Sequence, residues 1–323
     1  MLLISIVVPT HNESRNIEPL YARIATVFHQ LPEYEFELIF SDDSTDDTVK
    51  RITELHHHDK RVKLIRLSRR FSQAIAITAG IDRSQGDAVV LMDADLQDPP
   101  ESIPDMLTLW RQGFEVVYAQ RRSSSDYPLY KLYSYVYYRL LRKLASIDIP
   151  VGAGEFRLLD RKAIRFLQQV NEHTRFLRGL TVWPGLRQAS IQIERPARLQ
   201  GQTNYNFRRS LLVAIDGLVS FSVAPLRWAM TTGMAIAVAS ILAGLGYLIA
   251  KLLNLTQFGA GWPSLMVSVF FLGGIQLMVL GIIGEYVGRI FIEVQNRPLY
   301  WVDFELGFRE ESTPKTFSRT TTA

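Results

Sequence analysis

Ala88-Val89-Val90-Leu91-Met92-Asp93-Ala94-Asp95-Leu96-Gln97-Asp98-Pro99-Pro100 is the stretch from which the fold is read. Its first five residues form a short apolar run containing two valines, the signature of a buried strand. Three carboxylates and two prolines follow at once, so the chain must turn there. In extended backbone, residues i and i+2 project to the same side, which lets Asp93 and Asp95 converge on one point. Adjacent carboxylates repel unless a proton or cation intervenes. A hard divalent ion such as Mg2+ or Mn2+ accepts one or two carboxylates and completes its shell with phosphate oxygens and water. A metal–diphosphate site is the functional reading. The competing reading is a loop of helix-capping aspartates, and the position directly after a hydrophobic strand speaks against it.

Outward from this turn, β-branched runs alternate with helical patterns: Ile4 to Val8, Phe36 to Phe40, Val62 to Leu67, Ala88 to Met92 and Glu115 to Ala119. This βαβ rhythm predicts an α/β head with a largely parallel sheet, its ligands beyond the carboxyl ends of the strands. Pro9-Thr10-His11-Asn12-Glu13 follows the first strand and Ser41-Asp42-Asp43-Ser44-Thr45-Asp46-Asp47-Thr48 the second. Neither is a glycine-rich phosphate cradle. G-x-G-x-x-G, Walker, H-E-x-x-H and G-x-S-x-G patterns are absent, which argues against dehydrogenase, NTPase, metalloprotease and serine-hydrolase chemistry. His56-His57-His58 is not read as a metal site, because consecutive helical positions diverge by about 100°.

The chain has 323 residues, room for about two structural units. With no cysteine, disulfides, thiolate metal sites and cysteine nucleophiles are excluded. The balance of 36 cations against 32 anions gives no reason to expect a nucleic-acid partner. Ala229 to Ala250 and Pro263 to Gly284 are uncharged runs of 22 residues each. As helices each would extend about 33 Å, close to the ~30 Å hydrocarbon core of a bilayer. Two such spans predict a transmembrane hairpin. Its linking segment, 254–262, is uncharged, while Arg227, Arg289 and Arg297 lie beyond the outer ends, so the positive-inside rule puts head and tail in the cytoplasm. The N-terminus carries no basic region or cleavage site for export. Phe207, Leu211, Ala214, Ile215, Leu218 and Phe221 recur at helical spacing and predict an amphipathic helix along the membrane surface or against the head.

Pro9-Thr10-x-Asn12-Glu13, the acidic turn around Asp42 and Asp93-Ala94-Asp95-Leu96-Gln97-Asp98-Pro99-Pro100, in that order, resemble the inverting nucleotide-sugar glycosyltransferases of family 2. The resemblance is to their dolichol-phosphate mannose synthase-like branch, and it extends through Gly152-Ala153-Gly154-Glu155-Phe156-Arg157 and Arg175-Phe176-Leu177-Arg178-Gly179. With Asp216-Gly217-Leu218, Pro225-Leu226-Arg227 and the two spans, it points to bacterial polyprenyl-phosphate (bactoprenol) glucosyltransferases. The resemblance implies a GT-A, Rossmann-like catalytic head over residues 1–200 and a juxtamembrane helix over 201–227. Transmembrane helices over 228–252 and 263–285 would flank an extracytoplasmic loop over 253–262, with a C-terminal helix and tail over 286–323. It implies a multi-pass protein of the bacterial inner membrane. Ser41 stands where the family is often acidic, Asn204 where it often has lysine, and Glu155 where it has aspartate.

The activity so implied is transfer of a hexose, glucose by resemblance, from a UDP-sugar to polyprenyl phosphate with inversion. Asp42 would accept from uracil, with Pro9 and Glu13 lining base and ribose. Asp93, Asp95 and Gln97 would surround the Mg2+ or Mn2+ ion. Glu155 is a candidate base or acceptor-orienting carboxylate, with an ion pair to Arg157 as its alternative role. An acceptor phosphate is already largely dianionic at neutral pH and needs little help from a base. Cations for it are expected at Arg121, Arg122, Lys131, Arg139 and Arg208, among Tyr127, Tyr130, Tyr133 and Tyr137. From Arg121 to Lys143 six cations face only Asp126. Small residues Gly273-Gly274, Gly281, Gly284 and Gly288 permit close helix approach and a homo-oligomer. Mannosyl or aminosugar transfer, a processive synthase and a nucleotide-binding scaffold without turnover are the alternatives.

Overall fold

The computed structural model describes residues 1–121, 153–193, 224–253 and 261–308. They divide into two units. The head holds eight strands and six helices among the described residues, and the second unit holds two long helices.

The head opens with β1 (Leu2–Thr10), α1 (Ile17–His29), β2 (Tyr34–Asp42), α2 (Thr48–His58), β3 (Val62–Leu67) and α3 (Gln73–Arg83). It continues through β4 (Ala88–Leu91), α4 (Ile103–Arg111), β5 (Val116–Arg121), β6 (Ala153–Asp160), α5 (Arg161–Gln169), α6 (Leu177–Leu180) and β7 (Gln188–Ile193). All five strands expected from the β-branched runs are present. One mixed sheet runs β7-β5-β6-β4-β1-β2-β3-β8, where β8 is Val302–Leu306. Its centre, β3-β2-β1-β4, is parallel, as the crossover helices require. β6 is antiparallel to both β4 and β5.

Alternation along β1 builds the two faces. Ile4, Ile6 and Val8, fully buried, pack in the core with Ile17, Leu20 and Ile24 of α1 and Ile103 and Met106 of α4. Each side chain of this kind contributes about 1.5–3 kcal/mol on burial. Val7 points the other way, towards α3. A Cβ added to Gly80 of α3 would clash with Val7 Cγ1, so the helix sits on the strand at a distance only glycine permits.

Register sets the functional edge. Thr10 pairs with Asp42 and Val7 with Leu91, which brings the carboxyl ends of β1, β2 and β4 to one side. Leu91 pairs antiparallel with Arg157. Two residues further along the chain from Leu91, and two back from Arg157, stand Asp93 and Glu155. The antiparallel entry of β6 thereby returns a remote carboxylate to the carboxyl end of a parallel strand.

In the second unit, α7 (Ala224–Leu252) and α8 (Trp262–Val294) touch each other. Within α8, Ser268–Val294 has mean hydropathy 1.7 with none of its apolar window buried, long and apolar enough to cross a membrane. Among the described side chains, the apolar part of α7 is the shorter stretch Leu226–Leu242. Late in α8, Arg289 Nε donates to Glu285 Oε1 at 2.9 Å, an i, i+4 pair. The chain leaves α8 through Asn296, whose positive φ of 45° suits a helix exit. It then re-enters the head, where β8 pairs antiparallel with β3. Sequence patterning over 286–323 showed a helix and tail without this strand. Arg122, Lys131, Arg139 and Arg208, the tyrosine-rich stretch and the amphipathic helix over 207–221 lie outside the described residues, as does Asn204.

Candidate active site

Two loops at the carboxyl edge are stitched together residue by residue. Thr10 Oγ1 donates to Asp42 Oδ1 at 3.0 Å, and His11 Nδ1 lies 2.7 Å from Asp43 Oδ1. The Asn12 amide donates to Ser44 Oγ, and Asn12 Oδ1 accepts from the Thr45 amide, both at 2.8 Å. The Glu13 amide donates to Thr48 Oγ1 at 3.1 Å. Asn12 adopts a left-handed φ of 59°, tolerated by asparagine because its short amide bonds locally. Asp42 is fully buried and also accepts from the Ser44 amide and hydroxyl and from Arg66 Nη1. Pro9 of β1, paired with Ser41 of β2, and Glu13, whose carboxylate accepts from Asn16 Nδ2 at 2.6 Å, flank this loop pair. Asp42 is a structural knot holding the loops, a role its place in the sequence did not reveal.

The acidic turn after β4 folds tightly. Asp98 Oδ2 accepts from the Asp93 amide at 3.1 Å, and Asp95 Oδ1 accepts from the Gln97 amide at 3.1 Å. Leu96 is left-handed at φ 60°, a strained setting for a γ-branched residue. Gln73, the first residue of α3, donates from Nε2 to Asp93 Oδ1 at 2.6 Å. The α3 start is fixed by Ser72, whose side chain accepts from the Ile75 amide.

The acidic turn and Gln73 border one cavity of about 100 Å3, partly open to solvent. Gln73, Asp93, Asp98, Glu155 and Arg178 supply its polar wall, and Ala119, Phe156 and Ile193 its apolar side. Asp95 and Gln97 stand in the adjoining turn. Arg121 ends β5, whose Ala119 contributes to this wall. Asp98, Gln73 and Arg178 had no assigned role in the sequence reading. Arg178 lies in a quoted motif, but only the packing of α6 against β6 brings it to the carboxylates.

Glu155 is bound by two arginines. Arg178 Nε donates to Glu155 Oε1 at 2.7 Å, and Arg157 Nη2 lies 3.8 Å from Oε2. Arg157 is only 2% exposed; it donates to Thr181 Oγ1 at 2.7 Å and to the Gly154 carbonyl at 2.6 Å. Burial works to raise the Glu155 carboxyl, but Arg157 and Arg178 outweigh it and hold the group below the usual carboxylate range. Glu155 is therefore ionised at neutral pH and a poor proton acceptor. Its Oε2 is buried and receives no hydrogen bond among the described residues.

The profile of glycosyl transferase family 2 matches residues 5–167, which span β1 to most of α5. The chain belongs to glycosyl transferase family 2. It is 42% identical to an uncharacterized glycosyltransferase of Synechocystis over 301 residues, covering 93% of this chain and 94% of that one. It is 37% identical to the bactoprenol glucosyl transferase of Shigella phage SfII over 302 residues, covering 92% and 96%. Among solved structures, glucosyl-3-phosphoglycerate synthase of Mycobacterium tuberculosis with Mn2+ and UDP-glucose aligns over 66% of this chain and 78% of that chain. Its TM-score is 0.44 and its identity 18%. The head thus carries the glycosyl transferase family 2 domain, and the protein is a glycosyltransferase.

Proposed function

We propose that this glycosyltransferase moves a hexose, glucose in the first instance, from a UDP donor to the phosphate of a polyprenyl lipid, inverting the anomeric carbon. The observation that carries the reading is the single cavity uniting Asp93 and Asp98 with Glu155, Gln73 and Arg178 at the carboxyl edge of the sheet. The Shigella phage relative, named a bactoprenol glucosyl transferase, supports the lipid acceptor and the sugar.

The residues present suit a divalent ion. Asp93, Asp95 and Asp98 offer hard carboxylate oxygens within one turn, yet no three acidic or histidine side chains among the described residues form a complete cage. That is the donor set of an ion which shares its shell with phosphates. Asp93 and Asp95 would hold it, with Gln97 beside them, and a bound Mg2+ or Mn2+ would supply charge neutralisation to the leaving diphosphate. The stitched loops bearing Pro9, Glu13 and Asp42 would take the nucleoside. Gln73 fixes the Asp93 carboxylate, and Arg178 and Arg157 keep Glu155 charged. With a dianionic nucleophile, orientation and charge neutralisation dominate over proton removal.

The acceptor brings the membrane into the reading. The head receives the chain again at β8 after α8, so the segment between must cross a bilayer an even number of times or not at all. The apolar α8 favours two crossings, with α7 as the first, the head in the cytoplasm, and Arg121, Arg122, Lys131, Arg139 and Arg208 serving the lipid phosphate. Membranes carrying the protein, incubated with radiolabelled UDP-glucose and polyprenyl phosphate, should yield one lipid-linked sugar. Asp93→Asn should lower the rate by about a hundredfold or more, the scale of one contact to developing charge. A polymer product, or UDP binding without transfer by the unaltered protein, would sink the reading.

A further inference from the structure

We propose that Glu155 Oε2 is the acceptor for one hydroxyl of the donor hexose, and that Arg178 is the positioning residue that aims it. The inference rests on the hexosyl-transfer reading and specifies what within that site recognises the sugar.

Three observations carry it. Glu155 lines the cavity, and its Oε1 is committed to Arg178 Nε at 2.7 Å, which fixes the plane of the carboxylate. Its Oε2 is buried, lies beyond hydrogen-bond reach of Arg157 at 3.8 Å, and receives no hydrogen bond among the described residues. A buried carboxylate oxygen left in that state is costly, and a donor that reaches it from the cavity as the site fills would relieve the cost. The participants in the reaction differ sharply in what they can offer. A dianionic acceptor phosphate has no proton to give and would be repelled by a carboxylate. The donor diphosphate is likewise anionic. Uridine also carries donors, the uracil N3–H and the ribose hydroxyls, but this reading seats it at the loops bearing Pro9, Glu13 and Asp42; of the groups left for this cavity, the uncharged hexose with its several hydroxyls pairs favourably with Oε2.

The assignment also separates Glu155 from proton abstraction. Two arginines lower its affinity for a proton, which suits a permanent acceptor and makes it a weak base. A site built to bond one hydroxyl rejects the analogue lacking it, because the buried oxygen is then left unpaired. Glu155 would thus be a specificity-determining residue for the sugar.

The test is a cycle between residue and hydroxyl. The kcat/KM values of the unaltered protein, Glu155→Ala and Glu155→Gln are measured with UDP-glucose and its 2-, 3-, 4- and 6-deoxy analogues. One deoxy donor should lose about tenfold to a hundredfold with the unaltered protein, as expected for a hydrogen bond to a charged acceptor. Glu155→Ala should treat that donor and UDP-glucose alike, keep the other ratios, and Arg178→Ala should shrink the same single ratio. Deoxy penalties that are identical in variant and parent would overturn the assignment. So would a variant inactive with every donor whose UDP-glucose affinity is unchanged, the mark of a base. Where Glu155→Ala does not fold, calorimetry on the near-isosteric Glu155→Gln decides: weaker UDP-glucose binding with UDP affinity retained supports the proposal, while unchanged UDP-glucose affinity or equal loss of both refutes it. If the parent transfers no hexose from any UDP-sugar, the function itself fails; additive penalties on an active parent remove only the hydroxyl contact.

Discussion

Asp59 shows how one side chain can tie together elements that sequence patterning treats separately. It caps the end of α2, accepts from Tyr21 Oη of α1 at 2.8 Å, and takes Nε and Nη2 of Arg61 at 3.0 and 2.7 Å. Burial alone would raise its carboxyl, but the hydrogen bonds from Arg61 and Tyr21 pull it down to about 2. An ordinary unfolded aspartate titrates near ~3.9. Because the folded value is depressed, the group adds stability above the unfolded value, and that contribution is lost as pH falls from about 4 towards about 2. Asp59→Asn should lower the thermal unfolding temperature at pH 7, and the gap from the parent should close as the pH approaches 2. A gap independent of pH would show that the ionised form contributes nothing. Glu155 is another residue whose role burial decides, since its partners Arg157 and Arg178 are distant from the acidic turn in sequence, and Arg178 borders the same cavity as Asp93.

At the scale of elements, α3 does most to connect core and site. Its Gly80 rests on Val7, and its first residue, Gln73, holds Asp93. Gly80→Ala would overpack that contact and should destabilise the head by about 1–3 kcal/mol in denaturant unfolding; an unchanged midpoint would mean that α3 can lift from the sheet at no cost. β8 secures the other end of the same region. The Ser68 amide donates to the Trp301 carbonyl at 2.9 Å, Arg83 Nε to Glu305 Oε1 at 2.8 Å, and Tyr300 Oη to Asp82 Oδ2 at 2.8 Å. Ending the chain after Arg297 would leave β3 as a bare sheet edge. Faster hydrogen exchange across residues 62–73 and weaker UDP-glucose binding are expected; protection equal to that of the full chain would show β8 to be dispensable.

For the whole molecule, the return of β8 to the head fixes the parity of any membrane crossing. The absence of cysteine makes the topology directly measurable. In intact cells a membrane-impermeant maleimide should label Thr256→Cys, and should label Ser318→Cys only after lysis. Labelling of both in intact cells, or of neither, would rule out the hairpin with a cytoplasmic head. The Shigella phage relative's coverage of 92% of this chain extends the likeness through α7 and α8 as well as the head.

The order of strands and crossover helices was legible in the sequence because each depends on a local period: two for strands, 3.6 for helices, with turn residues between. The acidic turn was legible as a turn, since three carboxylates and two prolines follow the apolar strand at once; its course was not, because the chain bends at residues 94–96 and, of Asp93 and Asp95, Asp93 alone lines the cavity. The apolar stretches were legible because hydropathy is additive along the chain. Everything resting on long-range register came instead from packing. The antiparallel pairing of β6 with β4 put Glu155 level with Asp93, the packing of α6 brought Arg178 to its carboxylate, and β8 closed the sheet from residues beyond α8. Pairings across many residues are settled by the common burial of the whole core, and a local pattern carries no record of them.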